Sequence, residues 1–343
     1  YNDGWNNGYH YNITYWEIWN EPDLTGFWNG TAEEYYQLYE ITARTLKTYD
    51  PSLKIGGPCT SSVINENYTI HFLEYVKEND IPLDFFSWHM YTSYPYDIYR
   101  ASLYIRYLLD TYGFTECENI NTEWNINILT PQRDKDNAKN AAFTACCLIA
   151  FQDAKIDHAF RYRGTQDNNW LARLLGFDLG LFTYDGIYKT PALTYLAMHY
   201  IVRDTPIRLN VPPSNVSTGI VYLAGISEDR SNVSILITNY EAPDVSYTLN
   251  ITNLPWNEYM VAHYLIDDSH HLEIIENSAF NTSNYIITQK IKRNTVHFIR
   301  LTNSTILPEE GPEVASIPFI LRLRFLDPFT RLLGLLLLIL VFG

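Results

Sequence analysis

Cysteine is scarce, with four residues in a chain of 343: Cys59, Cys117, Cys146 and Cys147. Their spacing fits neither a zinc site nor a dense disulfide framework. Cys146 and Cys147 are adjacent in an apolar helical run, where thiols pack as small hydrophobes. The histidines form no metal pattern either, so no metal or organic cofactor is implied. Positive charge is also short. Lys and Arg total 24 against 39 Asp and Glu, a net charge of −15. Nucleic-acid partners require a basic footprint and are excluded on that ground. Charged residues are only 18% and hydrophobic ones 46%, which excludes a disordered chain. Internal repeats are absent. The length suits two or three domains with a full core.

Aromatics are plentiful at 15%, with 28 Tyr and 8 Trp. Such an excess fits wide aromatic-lined clefts, of which carbohydrate sites are one kind. Asn-x-Ser/Thr sequons occur at Asn12, Asn29, Asn67, Asn215, Asn232, Asn250, Asn281 and Asn303. Chance gives about half as many in a chain of this composition, so the excess favours an exported protein, extracellular or at the cell surface.

Residues 1–203 alternate between apolar runs and amphipathic helices. The runs are Ile13–Trp19, Leu53–Gly57, Leu83–His89, Asn119–Glu123 and His158–Tyr162. Near-continuous apolar strands between helices predict a parallel sheet covered on both faces. The expected helices start with one capped by Thr31 and Glu34 and stopped at Asp50-Pro51. They continue with Thr69–Glu78, Asp97–Tyr112, Asp134–Ala154 and Pro191–Val202, the last capped by Thr190. Residues 204–305 read as an antiparallel β-sandwich, with strands at Gly219–Ile226, Val233–Asn239, Val245–Ile251, Tyr259–Ile266, Tyr285–Gln289 and Thr295–Leu301.

Pro212-Pro213 lies in the connection, and Leu307–Pro312 links to a hydrophobic tail within 306–343. The run Leu332–Gly343 is shorter than the about 20 residues that span a bilayer. With Arg322, Arg324 and Arg331 before it, residues 317–343 read as a membrane-contacting segment, or as a helix docked on the protein. The chain opens on Tyr1 without a signal peptide, and both ends read as those of a fragment or a processed chain.

Three strand ends carry chemistry. Tyr15–Asp23 puts Glu21 before a proline at the end of an apolar strand. Asn121–Asn125 ends another in Glu123 beside Trp124. Phe85–Tyr91 ends a third in His89 and Tyr91. In α/β barrels the C-terminal strand ends hold the active site. Two carboxyls there can protonate a leaving oxygen and attack an anomeric carbon. A lone strand-end Glu is more often a cap or a surface charge, and a lone His is as often a satisfied core residue. The set of three strand ends outweighs both readings.

Trp16–Asp23 (WEIWNEPD) and Asn121–Asn125 (NTEWN) resemble the catalytic strands of retaining glycoside hydrolases of clan A. The fuller series resembles glycoside hydrolase family 39, which holds β-xylosidases and α-L-iduronidases. It runs through Phe27-Trp28, Ile55–Pro58 (IGGP), Asp84–Ser93 (DFFSWHMYTS), Thr122–Asn125 and Lys189-Thr190-Pro191. The resemblance spans about residues 13 to 300.

It implies Glu21 as acid/base, Asn20 on the sugar 2-hydroxyl and Glu123 as nucleophile. His89 and Tyr91 would hold the sugar and the nucleophile. Trp124, Tyr162, Arg161 and Arg163 are further candidates for substrate contact. Tyr162 could form an aromatic platform. Arg161 and Arg163 could fork a uronate or pair with Asp153, Asp157 or Asp167. Glu21 needs apolar neighbours such as Trp16 and Trp19 to stay protonated. Glu123 needs donors such as the Tyr91 hydroxyl to stay ionised.

In that family these glutamates stand on barrel strands four and seven. The expected fold is therefore α/β: a partial (β/α)8 TIM barrel of strands four to eight, an antiparallel β-sandwich and the tail. The expected function is a retaining glycosidase that releases a sugar from the non-reducing end of an oligosaccharide or polysaccharide, β-xylosidase-like. The alternatives are a uronidase of the same family and a non-catalytic cell-surface sugar-binding protein. Oligomeric state has no signature in the sequence.

Overall fold

The computed structural model describes residue 4 and residues 7–303, apart from 64–65, 167–170, 172–173 and 212–213. The expectations for Pro212-Pro213, Asp167, the 307–312 linker and the 317–343 tail fall outside the described residues. Five strands form one sheet in sequence order: β1 (Tyr15–Glu17), β2 (Lys54–Thr60), β3 (Phe85–Thr92), β4 (Glu118–Ile126) and β5 (His158–Arg161). The resolved pairings β1–β2, β2–β3 and β4–β5 are parallel. Parallel neighbours need crossovers. These are α1 (Ala32–Tyr49), α2 (Glu66–Glu78), α3 (Pro95–Tyr112), and α4 (Gln132–Asp136) with α5 (Ala138–Asp153). The βα alternation read from the sequence is thus present.

The first helix shows how the sequence fixes its place. The Thr31 hydroxyl accepts the Glu34 N–H at 3.2 Å, and the Glu34 carboxylate accepts the Thr31 N–H at 2.8 Å. This closes the expected capping box. Tyr35, Tyr39 and Ala43 bury one stripe. Their phenols still find acceptors: Tyr35 donates to the Ile18 carbonyl and Tyr39 to the Pro82 carbonyl, each at 3.0 Å. Gly57 permits this approach, since a Cβ there would lie 3.0 Å from the Tyr35 oxygen.

Two helix expectations are corrected. The single helix expected over 134–154 is two, broken at Asn137, whose backbone is extended. The Asn137 side chain accepts the Lys139 N–H at 3.0 Å, a capping bond that competes with helix continuation. Helix α6 (Thr190–Asp204) has Lys189 rather than Thr190 at its cap position, with Pro191 in the first turn.

By compactness the chain divides in two. The first unit holds Tyr1–Tyr91, Arg100–Trp124 and Ala154–Arg161. The second holds Thr92–Tyr99, Asn125–Asp153 and Tyr162–Gly343. The second unit contains an antiparallel sheet in the order β11-β10-β13-β8-β7-β6 and a two-stranded sheet, β12-β9. The strands are β6 (Ile207–Arg208), β7 (Ile220–Ile226), β8 (Asn232–Asn239), β9 (Val245–Ile251), β10 (Glu258–Ile266), β11 (His271–Asn281), β12 (Tyr285–Ile291) and β13 (Thr295–Thr302). Val233, Ile235, Val261, Ile299 and Leu301 of the larger sheet share one core with Tyr285 and Ile291 of the smaller, a sandwich.

Strands β6 and β11 were not anticipated. The second is an edge strand in which Glu273, Glu276 and Asn277 interrupt the apolar pattern. In the same unit α5 is buried over almost its whole length, including Cys146 and Cys147. All four cysteines are free and buried. Among the described residues no helix is long and apolar enough to cross a membrane.

Candidate active site

The turn after β1 places Glu21. The Ile18 N–H donates to the Gly56 carbonyl at 3.0 Å, and the Glu21 N–H donates to the Cys59 carbonyl at 2.9 Å. Trp19 and Glu21 adopt left-handed φ values of 71° and 47°, and Cys59 one of 56°. Such a conformation costs a side-chain-bearing residue about 1–2 kcal/mol and persists only where its surroundings enforce it. Asp23 supplies part of that enforcement. Its carboxylate accepts the Ser61 N–H at 2.9 Å and the Ser61 hydroxyl at 2.7 Å. The turn after β1 is thereby tied to the end of β2, and Glu21 folds back over the C-terminal end of the sheet.

His89 and Tyr91, at the end of β3, and Glu123, in β4, meet it there. His89 Nδ1 lies 2.8 Å from Glu21 Oε1 and 4.0 Å from Glu123 Oε2. The facing atoms of Glu21, His89 and Glu123 all lie within 4.8 Å of one another. The Tyr91 hydroxyl donates to Glu123 Oε1. On the other side of the imidazole, Nε2 lies 3.0 Å from Cys59 Sγ. His89 is 2% exposed, whereas the Glu123 side chain is 23% exposed.

Burial pushes the Glu123 carboxyl above its ordinary range. His89 and the Tyr91 hydrogen bond pull it back only in part, and Glu21 and Glu17 add to the rise. Burial lowers His89, but the Glu21 hydrogen bond and the charges of Glu123, Glu17 and Glu21 outweigh it, so His89 titrates above its ordinary value. The donor expected for Glu123, Tyr91, is in place. The net upward direction at Glu123 reflects burial first, with the nearby carboxylate of Glu21 adding to it.

The other candidates are placed less uniformly. Asn20 is exposed, its side-chain oxygen 3.5 Å from Cys59 Sγ. Trp124 is fully buried, with the Arg161 guanidinium 5.1 Å from its ring centre, and Arg161 is itself buried. Neither offers surface to a sugar, contrary to the expectation of substrate contact.

Tyr162 and Arg163 belong to the second unit. The Tyr162 carbonyl accepts from the Asn125 amide there. Arg163 donates to the Thr165 carbonyl at 3.0 Å, its guanidinium 5.7 Å from the Tyr162 ring centre. The acids expected as partners of these arginines have other bonds: Asp153 pairs with Arg208, and Asp157 accepts the Asn119 N–H at 2.8 Å. Sequence reasoning missed Cys59 and Asp23. Asp23 could have been found in the WNEPD motif, whereas nothing in the sequence marks Cys59.

Glu21, in the turn after β1, and Glu123, in β4, thus bring two carboxyls together beside one parallel sheet. Residues 9–168 match the model of glycosyl hydrolases family 39. A beta-xylosidase of Geobacillus stearothermophilus is 34% identical over 38% of this chain and 30% of its own. A beta-xylosidase of Caldicellulosiruptor saccharolyticus is 38% identical over 22% of this chain and 15% of its own. The chain thus matches less than a third of either enzyme's length. The crystal structure of a glucosidase from Croceicoccus marinus is similar with a TM-score of 0.75 and 28% identity, over 88% of this chain and 71% of that one.

Proposed function

We propose that the protein is a retaining glycosidase that removes a terminal sugar, β-xylosidase-like in substrate. The observation that supports this reading is the spacing of Glu21 and Glu123, whose facing oxygens lie within 4.8 Å. Retaining enzymes hold their carboxyls about 5–5.5 Å apart, and inverting enzymes need about 6.5–9.5 Å to admit a water. Tyr91 occupies Glu123 Oε1, so Oε2 is the oxygen available to the anomeric carbon. In the first step Oε2 bonds to that carbon, the glycosidic C–O bond breaks, and Glu21 gives its proton to the departing oxygen. In the second, Glu21 takes a proton from water, which displaces Glu123 and restores both groups. Arg161, the fork a uronate would need, lies enclosed over Trp124 and lends the uronidase reading no support. A pure sugar-binding role has no use for the second carboxyl.

Proton NMR of the first product from an aryl β-xyloside, with an aryl β-glucoside alongside, tests this. The β-anomer of xylose is expected first. An initial α-anomer rules out the mechanism. Saturable binding of xylosides with no turnover favours the binding reading.

We also propose that the protein works outside the cell, held at a membrane by residues 317–343. Seven of the eight sequon asparagines are exposed and Asn232 is half-buried, so none is closed to a glycan. Expression in a secretory host, with and without residues 313–343, checks both statements. A peptide-N-glycosidase should lower the apparent mass of both forms, and only the longer form should sediment with membranes. An unchanged mass counts against export. Equal sedimentation counts against the anchor.

A further inference from the structure

One residue touches the Glu21 site from two directions. Cys59 follows Pro58 at a register shift in the β2–β3 pairing and has a left-handed φ of 56°. The carbonyl accepts the Glu21 N–H at 2.9 Å. The thiol lies 3.0 Å from His89 Nε2, while His89 Nδ1 lies 2.8 Å from the Glu21 carboxyl. Cys59 Sγ also stands 3.5 Å from the Asn20 side-chain oxygen and 3.7 Å from the Thr122 hydroxyl. The sulfur is fully buried, and burial raises the thiol well above its ordinary value, so it stays S–H. A thiol so placed serves the imidazole in both charge states. It donates to Nε2 of the neutral ring and accepts weakly from Nε2–H of the cation.

We propose that Cys59 is a positioning residue: it clamps Glu21 by main chain and side chain together, and its weak sulfur acceptor limits how firmly His89 holds a second proton. The proposal rests on the reading of Glu21 as acid/base. The charged and titratable groups facing His89 are Glu17 and Glu21 from β1 and the turn after it, Cys59 from β2 and Glu123 from β4. Three of them are carboxylates that favour the cation, so the sulfur is the neutral partner on the opposite side of the ring. Hydrogen bonds to charged groups are stronger than those to neutral ones. Strengthening the acceptor at position 59 therefore favours imidazolium, and removing it favours imidazole.

The test is a pair of substitutions, Cys59→Ser and Cys59→Ala, in the full chain. The imidazole nitrogens of 15N-histidine-labelled protein are followed against pH, with kcat and KM for an aryl β-xyloside measured over the same range. The His89 titration should move up in Cys59→Ser and down in Cys59→Ala, each by about half a unit to one unit. The pH–rate profile should move in the same sense, with kcat affected more than KM. If both variants titrate as the wild type does and differ only in melting temperature, Cys59 is packing alone and the proposal is wrong. If the titrations shift as stated but even the wild type cleaves no glycoside, the clamp stands and the glycosidase reading falls.

Discussion

Glu123→Gln is expected to lower kcat by about 10⁴-fold or more. An amide cannot supply the attacking oxygen that carries the glycosyl group between the two steps. The loss should come without loss of fold. Burial and the neighbouring Glu21 and Glu17 charges raise the Glu123 carboxyl above its unfolded value, so its ionised form is a burden on the folded state at neutral pH. A neutral Gln removes that burden and leaves an oxygen for the Tyr91 hydroxyl. The variant should therefore melt no lower than the wild type at pH 7. A 2-fluoro sugar with a good leaving group should trap the intermediate, and peptide mapping should find the label on Glu123. The nearby carboxylates are placed otherwise. Glu118 is held by the Tyr15 hydroxyl and Lys54, and Glu17 stands on β1. A label on either would overturn the assignment.

The parts of the site legible in the sequence are those carried by contiguous residues. WNEPD, WHMYT and NTEWN each place a functional side chain at the end of an apolar run, and the run alone indicates a buried strand. The helix signals were local too, so the Thr31–Glu34 capping box could be read directly. Contacts made across the sheet could not. Cys59 lies 30 positions from His89 and 39 from Asn20 in sequence, and a register shift and a left-handed φ bring it to them. No pattern in residues 54–60 announces either. Trp124 is the opposite case, a residue singled out for its place beside Glu123 that the structure buries completely. Strand β11 escaped notice because an edge strand with one exposed face carries polar residues that blur its period. The break at Asn137 was hidden because its capping bond is worth little until the flanking helices are packed.

Glu21→Gln should divide substrates by leaving group. A general acid contributes about 10²–10⁴-fold, and only where the departing oxygen needs its proton. Xylo-oligosaccharides leave as basic alkoxides, so their kcat/KM should fall by that factor. A dinitrophenyl xyloside leaves as a stable phenolate, and its first step should be nearly unaffected. It should instead accumulate the glycosyl-enzyme, seen as a burst of phenolate, because the second step still lacks its base. Equal losses on both substrates would remove Glu21 from the acid/base role.

The same variant carries a stability signature. His89 titrates above its ordinary value of 6.5 chiefly through its hydrogen bond to Glu21, against the opposing effect of burial. A raised histidine lends the fold stability that is fully present below its unfolded pKa and is lost as pH rises through the folded one. Gln cannot hold the imidazolium as a carboxylate does. The melting advantage of the wild type over Glu21→Gln should therefore be largest below about pH 6 and shrink as the pH rises through the His89 titration. A difference that stays flat across that range would mean that the 2.8 Å contact does not tie the charge of His89 to Glu21.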